Sequence, residues 1–182
     1  MLLKRITLFF AALFMGWASA YAADIEKFDS VSEMIEAFGD YSADDESFLV
    51  LSEGPQHIRL TKMTVKGDPE SVVEAELKRA VMYGIYQSFI HTDLPEITVT
   101  AQPMLTTLNP HSQKLLDKPV YEVSVTRDQA LEVVQEFLDV GDLSELKTQG
   151  QFGVSWSDGF NSLYYEDRKP GLSVFYSLLE NP

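Results

Sequence analysis

The clearest pattern along the chain is the block Ala80–Ile90, AVMYGIYQSFI, polar only at Gln87 and Ser88. Upstream of it, Val72, Val73 and Leu77 interleave with Glu74, Glu76, Lys78 and Arg79. Asp68-Pro69-Glu70 opens the segment with a capping side chain, a proline suited to the first helical position and an acid in the first turn. The pattern predicts a helix around residues 69–91 with one wet side in its first half. A helix apolar nearly all round is a buried helix, so the rest of the fold is expected to wrap around its second half.

Shorter periodicities flank it. Ser30-Val-Ser-Glu33 resembles a capping box ahead of Val31, Met34, Ile35 and Phe38, with Gly39 as the stop. Phe48–Leu51 reads as a strand, and Glu53-Gly-Pro-Gln56 turns the chain into a second one carrying Ile58, Leu60, Met63 and Val65. The parity slip between Leu60 and Met63 predicts a bulge near Thr61-Lys62. Residues 96–102 alternate, with Ile97, Val99 and Ala101 inward. Pro103–Lys118 reads as a long loop, and Pro119–Val125 as a strand. Thr126-Arg-Asp-Gln129 is a capping box for a helix ending at Gly141. Asp158-Gly159 between the runs 151–157 and 160–165 predicts a tight hairpin. It would place Phe152, Val154, Trp156, Leu163 and Tyr165 on one face. Residues 172–179 suit a short helix, although Val174-Phe-Tyr176 would also suit a strand.

Paired strands between helices predict an α+β domain, a mainly antiparallel sheet of about six strands packed by helices. Residues 23–182 are expected to form that single domain. A chain of this length buries enough surface to fold without metal or disulfide.

The first 22 residues stand apart. Lys4 and Arg5 precede the 13-residue apolar run Ile6–Ala18, and Ala18-Ser-Ala20 and Ala20-Tyr-Ala22 follow it. The run is shorter than the roughly 20 residues that span a bilayer, so it predicts a secretory signal cleaved near Ala22 and no membrane span afterwards. The chain has no Cys and no Asn-x-Ser/Thr site. Both absences favour bacterial export, to the periplasm or beyond, over eukaryotic secretion.

Charge narrows the partners. The chain carries 28 acids and 14 Lys+Arg. Loss of Lys4 and Arg5 with the signal leaves 28 acids against 12 bases, a net charge of −16. The segment 24–54 holds ten acids and one base, Lys27. Such a surface repels nucleic acid; it either suits a cationic partner, such as a basic protein of the cell envelope, or serves only to keep the protein dissolved.

No phosphate loop, paired-histidine metal motif or nucleophile elbow is present: Gly153-Val-Ser-Trp-Ser157 ends in Ser where the elbow needs Gly. Counted as an EF-hand, the loop from Asp40 has Asp45 where Gly is required and Leu51 where Glu is required. No cofactor, metal or catalytic set is therefore expected. The one local arrangement singled out is Ala80, Gly84 and Ser88 at i, i+4, i+8, continued by His91. Gly84, Ser88, His91 and Asp93 are the candidate binding residues. The alternative to a ligand groove at Gly84 is a strand or neighbouring helix crossing there. The expected function is an exported binding or interaction module without catalysis, of the inhibitor or immunity type. The rivals are a hydrolase built on His57, His91 or His111 and a carrier of a small apolar ligand.

Overall fold

The computed structural model describes residues 25–108, 110–151, 153–165 and 171–182. The expected signal at residues 1–22 and the side chain of Phe152 lie outside them. Helix α1 (Val31–Phe38) begins at Ser30, whose hydroxyl accepts the Glu33 N–H, and ends at Gly39 in left-handed backbone, φ 72°. Strands β1 (Phe48–Glu53) and β2 (Gln56–Thr64) form an antiparallel hairpin. Helix α2 (Glu70–His91) then carries the chain across to β3 (Glu96–Leu108), which lies parallel to β2.

Strand β3 is the spine of the sheet. Along its other edge it pairs antiparallel first with β5 (Tyr121–Thr126), from Glu96↔Thr126 to Ala101↔Tyr121. It then pairs with β4 (His111–Leu115), from Met104↔Leu115 to Leu108↔His111. Helix α3 (Arg127–Gln135) leaves β5 directly, through a capping box in which Thr126 and Gln129 satisfy each other's backbone N–H groups. A 3-10 turn at Leu143–Leu146, a two-stranded ribbon of β6 (Lys147–Gly150) and β7 (Gly153–Trp156), and helices α4 (Asp158–Tyr165) and α5 (Gly171–Glu180) complete the domain. The architecture is α+β, with a five-stranded, mostly antiparallel sheet and a separate small ribbon.

The sheet turns one face to α2. Ile58 and Leu60 of β2, Ile97, Val99 and Ala101 of β3, and Val123 and Val125 of β5 share one core with Val81, Ile85, Tyr86 and Phe89. Each large side chain in that core contributes roughly 1.5–3 kcal/mol of burial. Tyr86 keeps its ring inside by donating its hydroxyl to the Ala130 carbonyl at 3.0 Å. Gly84 is where helix and sheet touch. A Cβ there would lie 2.8 and 3.1 Å from the two γ-carbons of Val99 and 3.2 Å from Leu60 Cδ1. The groove of Ala80, Gly84 and Ser88 is thus filled by the protein's own strands, and the strand crossing describes it.

Several expectations need correction. Pro103–Lys118 is not a loop: β3 runs on to Leu108 and returns as β4. The ribbon is hard to read because β4, HSQKL, is exposed almost throughout and has no apolar face. Pro103 is tolerated because it falls between the stretches of β3 paired with β5 and with β4. No bulge occurs at Thr61-Lys62, where β2 follows β3 in unbroken register; the irregularity lies opposite, in β1 between Val50 and Ser52. Thr61 stays buried through bonds to the Ser47 and Glu46 carbonyls, while Met63 points outward.

Asp68 does not cap α2; its carboxylate accepts the Val65 N–H at 2.8 Å, leaving Pro69 at the N-cap position. Helix α3 stops at Gln135, well before Gly141, and the Gln135 amide donates to the Val140 carbonyl in the turn that follows. Asp158-Gly159 is the first turn of α4 and not a hairpin. Ser157 Oγ accepts the Phe160 N–H, and Phe160, Leu163 and Tyr164 recur at helical spacing on the buried side. The true hairpin is β6–β7, one element earlier. Residues 171–180 are helical, as the spacing at 172–179 favours.

Candidate functional site

The exposed first half of α2 runs into its buried half along Glu76, Arg79, Tyr83 and Gln87, a 3-4-4 spacing that keeps all four on one face. This stripe forms one wall of a pocket of about 240 Å³. Asp40 and Tyr41, just beyond α1, add a second wall; Lys62 of β2 adds a third. Trp156 at the end of β7 and Tyr164 and Tyr165 at the end of α4 close it.

Arg79 builds much of this site. Its Nε donates to the Tyr164 carbonyl at 2.9 Å, one terminal nitrogen to the Tyr165 carbonyl at 3.1 Å, and the other to Glu76 Oε1 at 2.6 Å. The first two bonds satisfy carbonyls at the C-terminus of α4, where a helix leaves acceptors unpaired and favours positive charge. The guanidinium also lies over the Tyr165 ring at 5.8 Å. Lys62 sits 3.7 Å from the second Glu76 oxygen and over the Tyr41 ring. The cations of the pocket are thus already held by its own acid and rings.

Two buried polar atoms are left over. The Tyr83 hydroxyl and Gln87 Oε1 make no hydrogen bond in the protein, although the residues are only 5% and 6% exposed. Leaving such a group dry costs about 1–3 kcal/mol. Burial, followed by the nearby Asp40 carboxylate, pushes the Tyr83 phenol well above its ordinary pKa. Desolvation first of all does the same to Tyr41 and Tyr164, so all three remain protonated donors. Next to the pocket, Lys147 Nζ stands 3.5 Å from the centre of the Trp156 ring. Burial lowers its pKa to about 8, and the Asp40 charge opposes that shift.

The four candidate residues from the sequence lie elsewhere. Gly84 faces the sheet. Ser88 is fully buried with its hydroxyl unbonded. His91 Nδ1 lies 2.8 Å from the Glu26 carbonyl, and Phe28 and Phe38 surround its ring. Desolvation lowers its pKa, so the ring is neutral; Nδ1 donates to Glu26 and Nε2 is left without a partner. Asp93 is exposed and pairs with Lys27 at 3.2 Å. These contacts tie the N-terminal segment to the end of α2, and none of the four residues lines the pocket.

On the opposite, open face of the sheet, His57 Nε2 lies 2.8 Å from Thr100 Oγ1, which donates to Glu122 Oε2 at 2.7 Å. Glu122 Oε2 also lies 3.7 Å from His57 Nε2, so acid and hydroxyl meet the same ring nitrogen. In the arrangement that activates a nucleophile, they face opposite nitrogens of the imidazole. His111 is exposed on β4.

Sequence reasoning missed the pocket because its residues come from five elements. The available signal was the polar stripe 76-79-83-87 entering an apolar helix, with Gln87 the residue least suited to a closed core. No family model, curated protein or solved structure matches this chain.

Proposed function

We propose that the protein is an exported binding module without catalysis, working in the periplasm or outside the cell, and that the pocket on α2 is its ligand site. The observation that carries this is the convergence of two buried, unpartnered polar atoms, on Tyr83 and Gln87, on one cavity beside aromatic side chains. Binding sites place a few polar groups in such surroundings to fix a ligand's orientation. Binding is favoured over catalysis by the state of the pocket's ionisable groups. Glu76, Lys62 and Arg79 hold one another, and the three tyrosines keep their protons. No imidazole lines the pocket.

Amide NMR spectra of residues 23–182, recorded with mixtures of small hydroxylated, amide-bearing, charged and aromatic compounds, test the reading. Saturable perturbations should gather at residues 40–41, 83–87, 156 and 164–165. Their absence, or their appearance on the open sheet face instead, would overturn it. Export is tested by N-terminal sequencing of protein isolated from cells, which should begin near Ala23; Met1 on that protein contradicts it.

A second surface suits a macromolecular partner. Asp44, Asp45 and Glu46 are exposed on a loop that Glu36 organises by accepting the Ala43 N–H at 2.9 Å. A fixed cluster of acids favours a basic protein, with association that weakens steeply as salt rises. Equal binding in low and high salt would remove the electrostatic basis of this pairing.

A further inference from the structure

We infer that the ligand of the α2 pocket is a neutral pyranose, bound with its hydroxyls on Tyr83 and Gln87 and a C–H face on Tyr165. This rests on the pocket being a binding site and adds its chemical class. The first argument is charge. Among the described residues that line it, Asp40 and Glu76 balance Lys62 and Arg79, and every nitrogen of the Arg79 guanidinium already has an acceptor. A carboxylate or phosphate would have to compete with Glu76 for both cations. A cationic ligand would meet Lys62 and Arg79, with Lys147 close by over Trp156.

The second argument is the pair of unmet groups. Gln87 Oε1 only accepts, so it requires a donor. The Tyr83 phenol donates, and the Asp40 carboxylate beside it interacts only weakly, out of reach or alignment for an ordinary hydrogen bond. Each hydroxyl of a sugar both donates and accepts. One can donate to Gln87, and a neighbour can accept from Tyr83 while donating to Asp40. An apolar ligand would leave both buried groups unpaired.

The third argument is the rings. Trp156 has Lys147 over its ring at 3.5 Å and Phe160 at 4.6 Å, and it is the less exposed of the two rings. Tyr165 is 61% exposed, yet it is held by Tyr164 edge-on and by Arg79 over its ring. A fixed, exposed aromatic face attracts the weakly positive C–H groups of a pyranose. A volume of about 240 Å³ suits one sugar ring; drug-sized ligands occupy pockets of roughly 300–1,000 Å³.

After loss of residues 1–22, Trp156 is the sole tryptophan, so its fluorescence reports the pocket directly. Residues 23–182 are titrated with glucose, galactose and N-acetylglucosamine, with glucuronate, putrescine and indole as charged and apolar comparators. At least one neutral sugar should give saturable binding. Gln87→Leu and Tyr83→Phe should each weaken it about tenfold, the usual effect of one lost hydrogen bond. Gln87 Oε1 has no partner inside the protein, so Gln87→Leu should melt at or above the parent temperature; Tyr83→Phe, which gives up only the weak contact with Asp40, should melt within about a degree or two of it. Tyr165→Ala should weaken binding without changing the melt. The methyl glycoside separates the sources: retained binding identifies the end of a glycan, and lost binding a free reducing sugar. Binding of glucuronate, putrescine or indole in place of every neutral sugar keeps the pocket as a site and overturns the sugar. No response to any compound, by fluorescence or NMR, overturns both.

Discussion

Adding one methyl group at Gly84 tests the contact between helix and sheet. In an open helix, Gly→Ala stabilises by about 1 kcal/mol, because glycine surrenders the most backbone freedom. Here the new carbon would meet both γ-carbons of Val99, at 2.8 and 3.1 Å, and Leu60 Cδ1 at 3.2 Å. Val99 cannot turn away, since a β-branched side chain has few rotamers and its strand is paired on both edges. Overpacking of this kind costs about 1–3 kcal/mol. With three close contacts on a rigid wall, the upper end applies. The net loss is then about 2 kcal/mol, or roughly 4–8 °C in Tm for a domain of this size. Thermal melts of Gly84→Ala, Val99→Ala and the double variant measure it. Val99→Ala opens the space the methyl needs, so the double variant should be more stable than the sum of the two losses by about 1–2 kcal/mol. A raised Tm for Gly84→Ala, or strict additivity in the double variant, would refute the close contact.

Three further outcomes follow from contacts described above. The Lys147 amine titrates near 10.5 when free and near 8 when folded, so the folded chain sheds this proton first. Stability measured by denaturant should therefore rise with pH from about 8 to about 9, above which the buried tyrosines, ionising only in the unfolded chain, turn the slope downward; Trp156 fluorescence should titrate near 8, and Lys147→Met should remove the rise and that titration. Thr126→Ala deletes the reciprocal cap of α3 and should cost about 1 kcal/mol by denaturant melt, whereas Thr126→Ser should largely retain it. Replacing Asp44, Asp45 and Glu46 by Asn, Asn and Gln should move Tm by no more than a degree or two. Their carboxylates are exposed, and the Ser47 N–H that Asp45 accepts lies within the same loop. A large drop would reveal a structural role for the acids.

Where one local rule governs one element, the sequence is readable. Ser30 and Gly39 bracket α1, Thr126 and Gln129 open α3, and the continuous apolar block marks the buried half of α2. Elements whose cause lies elsewhere in the fold are not readable in this way. The polar strand β4 exists because β3 offers it an unpaired edge. Asp158-Gly159 carries a strong hairpin signal, yet Ser157 caps it as a helix whose Phe160 is drawn between Trp156 and Phe175. The candidate site shows the same division. Small residues at 80, 84 and 88 correctly mark a close approach, but composition alone does not say whether a ligand or Val99 makes it. Tyr83 and Gln87 stand on the same helix, and their unmet hydrogen bonds are visible only once Asp40, Trp156 and Tyr165 arrive from distant parts of the chain.

Strand β3 passes through two regimes of cohesion that meet near Leu105. From Thr98 to Leu105 it is held by β2 on one edge and by β5 or β4 on the other, and its first part is pressed against α2, so its amides there open only when the whole domain does. Beyond Leu105, β3 leans on the exposed β4 alone, and the ribbon ends at the turn around Pro110. Local opening free energies in proteins run from near zero in such ribbons to the full stability in core strands. The boundary between fast and slow hydrogen exchange therefore falls inside β3 and not at either of its ends. Cleavage or insertion near Pro110 strikes a part of the molecule that opens on its own, at the far end of β3 from the strands that bury α2.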